Sequence, residues 1–261
     1  MSMNTIAALI GVVIKEMYRR KDFYVLFVLT VVITLTMGSV HFFNDAKIVR
    51  YLKEICLLLI WIAALIIAIT TTARQIPAER ESRTIFPLLA KPVTRAQVLL
   101  GKFFGCWFAV GAALVIFYLF FGIISSSHEG TWPILNYFEA FWLQWMMLAI
   151  VISMTLFGSI IFSAVSANAT NCFFIVVGIL LLGGHLNTVA LNQPQPAGNI
   201  TYTIYFIIPH LEWFDVRDLV VYDWHPVPFL DCLLATIYAW VYSAIFIFLS
   251  WLAFRRKALT A

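Results

Sequence analysis

Ser159 and His185 are the only obvious pairing of a nucleophile with a base in this sequence. A hydroxyl activated by an imidazole is the chemistry of acyl transfer, so an intramembrane hydrolase is the enzyme reading to weigh. Gly158-Ser159 carries nothing else of a nucleophile motif, and no second polar cluster supports the pair. No catalytic residue is therefore assigned. His185, after Gly183-Gly184, is also a candidate to line a path or take a metal ion, although a hydrogen bond to a neighbouring helix explains a lone intramembrane histidine as well. Cys56, Cys106, Cys172 and Cys232 stand singly, without the paired spacing of a metal site or a disulfide framework, and read as apolar packing residues. No metal site is expected. The Gly-x-x-x-x-Gly-Lys-Ser/Thr loop is missing as well, so the chain has no phosphate cradle of that kind, and any ATP would bind to another subunit.

The remaining polar chemistry is that of contact. From Arg74 to Lys102 runs the only long polar interruption with dense positive charge: Arg74, Arg80, Arg83, Lys91, Arg95 and Lys102 against Glu79 and Glu81. Pro77 suits the first turn of a short helix, Pro87 kinks or ends it, and Lys91-Pro92 forces an extended residue before the next element. Thr94 with Gln97 forms a capping box that opens a helix running into the apolar residues after Val98. Ile85, Phe86, Leu88 and Leu89 are too apolar to face water, so the segment is expected to bind a partner, with Glu79, Glu81 and Arg83 at the rim. Packing back onto the spans is the competing account. Lys102 is expected to snorkel towards headgroups.

In their order, Glu79-x-Glu81, Thr84-Ile85, Leu88-Leu89, Lys91-Pro92-Val93, Arg95 and Gly101-Lys102 resemble the cytoplasmic loop of type 2 ATP-binding-cassette (ABC) permeases. Arg83, where that family often has glycine, and Pro87 depart from its pattern. The resemblance implies that Glu79, Arg80, Glu81, Arg83, Thr84, Ile85, Leu88 and Leu89 form a coupling helix. That helix would dock on separate ABC ATPase subunits, which carry the ATP and its magnesium ion. Lys91, Pro92, Arg95, Gly101 and Lys102 complete the motif. A second permease copy or close relative is also implied.

Composition agrees with the membrane part of that reading. Sixty-two per cent of residues are hydrophobic and 11% charged, with a mean hydropathy of +0.93, far from the roughly 25% charged of soluble domains. Six runs approach or exceed the roughly 20 residues a span requires: 24–42, 55–73, 98–124, 140–165, 172–191 and 230–254. The expected fold is all-α, a single polytopic transmembrane domain over 1–261. With both termini cytoplasmic, 13 of the 17 basic residues lie inside, as the positive-inside rule requires. The +4 net charge is then a matter of topology, and no nucleic acid is expected as a partner. A multi-pass protein of the cytoplasmic membrane is the implied location, with lipid all around it.

The connecting pieces follow. Met3, Ile6, Ile10, Val13 and Met17 make one helical stripe, so 3–20 reads as an interfacial elbow helix; a signal peptide would carry its charges before the apolar part. The loop 74–97 is the coupling segment. Ser166 to Asn171 reads as a tight turn, alternatively as a second partner contact. Gln144 and Glu54 read as interfacial. Residues 192–229 form an external loop in which 209–222 can be one helix, with Trp213 and Phe214 as candidates for an external gate or path beside His185. A loose lid with no part in transport is the other account of that helix. The function expected from the resemblance is the permease subunit of an ATP-driven exporter, itself not an enzyme. The alternatives are the hydrolase above and a scaffold that recruits cytoplasmic proteins. Cargo has no readable code.

Overall fold

The computed structural model describes residues 10–15, 46–81, 94–129, 133–192 and 197–256, with isolated helical positions at Tyr24, Val28, Val31, Val32 and Leu35. Most of the elbow helix and of the expected 24–42 span, and residues 82–93 of the coupling segment, lie outside these. In chain order the named helices are α1 (Ala46–Ala73), α2 (Pro77–Glu81), α3 (Arg95–Glu129), α4 (Ile134–Ile161), α5 (Val165–Asn192), α6 (Ala197–Ile207), a 3-10 turn (Leu211–Phe214), α7 (Arg217–Val221) and α8 (Phe229–Arg256). Among the described residues five helices are long and apolar enough to cross a membrane. The protein is an all-α polytopic membrane protein.

Helix is the only open-ended way to satisfy a backbone in hydrocarbon, and the boundaries come from the punctuation. Pro77 opens α2, Pro133 precedes α4, and Pro228 precedes α8 and accepts the Asp231 and Cys232 amides. The Thr94 amide donates to Gln97 Oε1 at 2.9 Å and the Gln97 amide to Thr94 Oγ1 at 3.3 Å, a reciprocal capping box at the foot of α3. Hydroxyls within the spans donate back to their own helix: Ser153 to the Ile150 carbonyl, Thr155 to Val151, Ser159 to Leu156 and Ser250 to Phe246. These polar residues are satisfied without a partner helix.

Central to the bundle is α4, which packs against α1, α3, α5 and α8 and is buried along most of its length. Around it, α5 and α8 leave Phe174, Leu181, Phe229, Val241 and Phe248 exposed. In water this surface would be unstable; in a bilayer it faces acyl chains. At residues 10–15 Val13 is buried against Gly105 of α3, where a β-carbon would come within 2.9 Å of the Val13 side chain.

Three expectations are corrected here. Residues 166–171 are helical, because α4 ends at extended Phe162 and α5 starts at Val165, which places the turn at 162–164. The single helix over 209–222 is broken into the 3-10 turn and α7. Asp215 breaks it: its carboxylate accepts the Arg217 amide at 3.4 Å and grips the Arg217 guanidinium, competing with the helical backbone bonds. Gln144 is buried rather than interfacial and accepts a 2.9 Å hydrogen bond from the Tyr118 hydroxyl of α3.

Candidate functional site

The end of the bundle that carries the basic segment is held by two small polar junctions. In the first, Lys102, one turn above the capping box, turns inward and is buried instead of snorkelling. Its ammonium donates to Glu79 Oε1 at 2.7 Å and to Gln75 Oε1 at 3.3 Å, while Gln75 Nε2 donates to the Thr71 carbonyl at 3.3 Å. This chain of bonds links the last turn of α1, the turn 74–76, the short helix α2 and the foot of α3. Desolvating an ammonium is costly unless it is paired and hydrogen-bonded, so Lys102 fixes where Glu79 can sit. Glu79 Oε2 is buried without a hydrogen-bond partner. Its lone pairs leave the carboxylate able to take a further donor.

The second junction is Asn168, fully buried in the first turn of α5. Its Nδ2 donates to the Thr155 carbonyl of α4 at 3.2 Å and to the Ala73 carbonyl, last of α1, at 3.5 Å; its Oδ1 accepts the Cys172 thiol at 3.3 Å. Gly158 makes room for it, since a β-carbon there would collide with Asn168 Oδ1. Three spans therefore meet at one carboxamide immediately before the polar segment departs.

Arg95 makes a further tie at this end. Its guanidinium donates to the Phe254 carbonyl at 2.6 Å and the Arg255 carbonyl at 3.2 Å, capping the last turn of α8. Higher up, the indoles of Trp107 and Trp145 stack at 4.2 Å, nearly parallel, and each donates its Nε1–H to the other's backbone carbonyl at 3.1 Å. Gly111 allows this, because a side chain there would strike the Trp145 ring. Phe103, Phe104 and Trp240 extend the aromatic stack.

At the opposite end, residues 197–228 are fastened to the tops of α4 and α8. Asn136 Nδ2 donates to the Trp224 and Leu219 carbonyls and to Asp223, whose φ of 50° turns the chain. Glu139 Oε2 accepts the Val227 amide at 2.9 Å, and Tyr238 Oη accepts the His210 amide at 2.8 Å. Arg217 binds Asp215 through two 2.7 Å contacts and lies over the Trp61 ring of α1. That hydrogen-bonded carboxylate raises the Arg217 pKa above its ordinary value. The segment is a fastened cap, which corrects the account of it as a loose lid.

Of the sequence-predicted residues, Glu79 and Lys102 meet, Gly101 is buried beside Lys102, and Arg80 and Glu81 continue α2. Arg83, Thr84, Ile85, Leu88, Leu89, Lys91 and Pro92 lie outside the described residues. Phe214 is buried in the core, whereas Trp213 is exposed and stacks on His210 at 4.6 Å. His185 is exposed on α5, thirteen residues past Cys172, about 20 Å of helix rise. Ser159, next to Gly158 at the Asn168 junction, spends its hydroxyl on the Leu156 carbonyl. The supposed nucleophile, at the end of α4 beside the first turn of α5, and the base, far along α5, are thus well separated. Among the described residues no group of three or more His, Cys, Asp or Glu could hold a metal ion. Sequence reasoning missed Gln75, the Trp107–Trp145 pair and the joining roles of Asn168 and Gly158; the polar Gln75 at the start of the basic stretch was the one local signal.

No curated protein matches the chain. The family model described as ABC-2 family transporter protein matches residues 12–259, the stretch that contains both polar junctions, the aromatic stack and the cap. A match of this extent points to the membrane subunit of a transporter, and the chain belongs to the ABC-2 family of transporter proteins.

Proposed function

We propose that this chain is the permease subunit of an ATP-driven exporter in the cytoplasmic membrane. It pairs with a second copy or a close relative to form the path, and receives an ATPase subunit on the coupling helix of each copy, residues 79–90 within the 74–97 segment. ATP and its magnesium ion sit on that partner. Both termini and the basic segment face the cytoplasm, in keeping with the distribution of basic charge. One observation carries the reading: the entry to the coupling segment is joined to the foot of α3 by the buried Lys102–Glu79 ion pair, with Gln75 as its second acceptor. A displacement of α2 by a partner cannot stay local, because breaking that pair strands a charge in a site with little water. It is passed to α1 and α3 instead. On this account Glu79 belongs to the linkage to the spans, and the apolar Ile85 and Leu88 make the contact with the ATPase.

The test separates docking from transmission. In the assembled complex, Leu88→Asp and Ile85→Asp should insert normally but no longer co-purify with the ATPase, at a loss on the order of 2 kcal/mol or more for a central anchor. Glu79→Leu combined with Lys102→Met should keep the ATPase bound while its hydrolysis no longer responds to cargo. Normal assembly in both aspartate variants together with normal coupling in the double variant would remove the proposed mechanism.

A further inference from the structure

A groove of about 370 Å³ runs between α3 and α8 in the half of the bundle next to the basic segment. Leu99, Phe103 and Phe104 form one wall and Trp240, Ala244 and Trp251 the other, so its lining is aliphatic and aromatic throughout. Ala244 and the neighbouring Phe248 are exposed, which opens the groove sideways to the bilayer. At the end of α8, where the chain leaves the apolar region, the last turn carries Arg255 and is met by a second arginine, Arg95, which reaches its backbone from α3. Arg95 spends one nitrogen on the Phe254 and Arg255 carbonyls and lies over the Phe254 ring. Arg255 is exposed and lies over the Trp251 indole at 5.7 Å. Among the described residues neither faces a carboxylate within ion-pair distance.

These features describe a ligand that is apolar along its length and anionic at one end. The apolar wall excludes a soluble phosphate compound as occupant of the groove. The two cations at the last turn of α8, one of them over Trp251, distinguish this groove from a plain lipid-facing crevice, since guanidinium groups recognise phosphate oxygens, and tryptophan settles at headgroup depth. We propose that the α3–α8 groove is a resident site for an anionic glycerophospholipid of the leaflet bordering the basic segment, one acyl chain lying along Phe103 and Ala244 and the phosphate bridging Arg95 and Arg255. Basic pockets between spans are the physical setting in which headgroup charge is read. A lipid held there braces the end of α8 against the capping box of α3. The proposal uses none of the residues assigned to the ATPase contact, so it stands or falls independently of the coupling mechanism.

The full chain, purified in detergent and stripped of lipid, is titrated with phosphatidylglycerol and with phosphatidylcholine of the same chain length and examined by native mass spectrometry. Wild type should retain phosphatidylglycerol in preference to phosphatidylcholine. Arg255→Gln should weaken phosphatidylglycerol retention about fivefold, while Arg255→Lys keeps most of it. Among the described residues the Arg255 side chain has no hydrogen-bond partner, so this variant should fold normally; Arg95→Gln repeats the test from the other side of the headgroup. Ala244→Trp, which fills the groove and leaves both charges, should lower retention of both lipids. Equal retention of the two lipids by wild type would overturn the proposal. So would undiminished phosphatidylglycerol binding in the Arg95→Gln/Arg255→Gln double variant, or crosslinks from position 244 to a second copy of the chain instead of to lipid.

Discussion

The two ends of the bundle are fastened by opposite means. At the end bearing the basic segment, the helices are joined by a few bonds of high individual value: one buried ammonium shared by Gln75 and Glu79, one carboxamide shared by Ala73, Thr155 and Cys172, and the Arg95 guanidinium on the end of α8. At the other end, residues 197–228 are held by many neutral or partly exposed bonds, among them those from Asn136, Glu139, Tyr238 and Tyr242. Loss of one bond from a dispersed set leaves the others in register. Loss of one from a concentrated set leaves a buried group stranded. The first arrangement suits a place where force enters, the second a cover that must stay put.

Replacing Lys102 is the strongest way to break this comparison. Lys102→Met strands Glu79, whose Oε2 has no partner even now, and should cost about 3 kcal/mol of stability, at the lower end for a buried pair because Glu79 is partly exposed. Adding Glu79→Leu should recover most of that loss, read as a rise in the unfolding midpoint of the double variant over Lys102→Met in detergent. An unfolding midpoint for Lys102→Met equal to wild type would mean that charge is not concentrated at this end after all.

Asn168 comes next in size. Asn168→Ala should cost about 2 kcal/mol, because the Ala73 and Thr155 carbonyls lose a buried donor and the Cys172 thiol its acceptor together. Gly158→Ala should be poorly tolerated alone, since its methyl collides with the Asn168 side chain, but much better tolerated once Asn168 is alanine, when only the 3.1 Å approach to Cys172 Sγ is left. That non-additivity, measured in a double-mutant cycle, sharpens the assignment of the junction; simple additivity of the two changes would dissolve it.

The smallest effect belongs to the other end. Asn136→Ala should lower overall stability by only about 1 kcal/mol, while amide exchange over 222–228 speeds up locally because the Trp224 carbonyl loses its donor. Should the variant instead unfold as readily as Lys102→Met, the cap would be as concentrated as the opposite end and the contrast would fail.

What could be read in advance follows from sequence distance. The capping box was legible because Thr94 and Gln97 lie three residues apart and their rule is local. Helical character in 209–222 was legible too, and Leu211, Phe214 and Leu219 there are buried, but Asp215 breaks the single helix into a 3-10 turn and α7. The Lys102–Glu79 pair was invisible as a pair: both residues stand in the resembling motif, but only the packing of α1 on α3 closes the 23 positions between them. Asn168 misled for a chemical reason. Asparagine favours turns when its carboxamide bonds to its own backbone, and here that carboxamide is used on two other helices. Gln144 failed in the same way, because its partner Tyr118 sits on α3.

The reciprocal tryptophans set a kinematic limit on the molecule. Each carbonyl involved has a second lone pair to offer beside its helical bond, so the pair adds two bonds without unwinding either helix. Because the bonds run in opposite directions across one stacked contact, sliding α3 along α4 by a single residue breaks both at once and drives the indole of Trp145 away from the notch at Gly111. Rolling one helix about its own axis unstacks the rings. The two helices consequently have one relative position and travel as a single piece. Whatever rearrangement opens a way through the membrane has to be found at the joints between that piece and its neighbours.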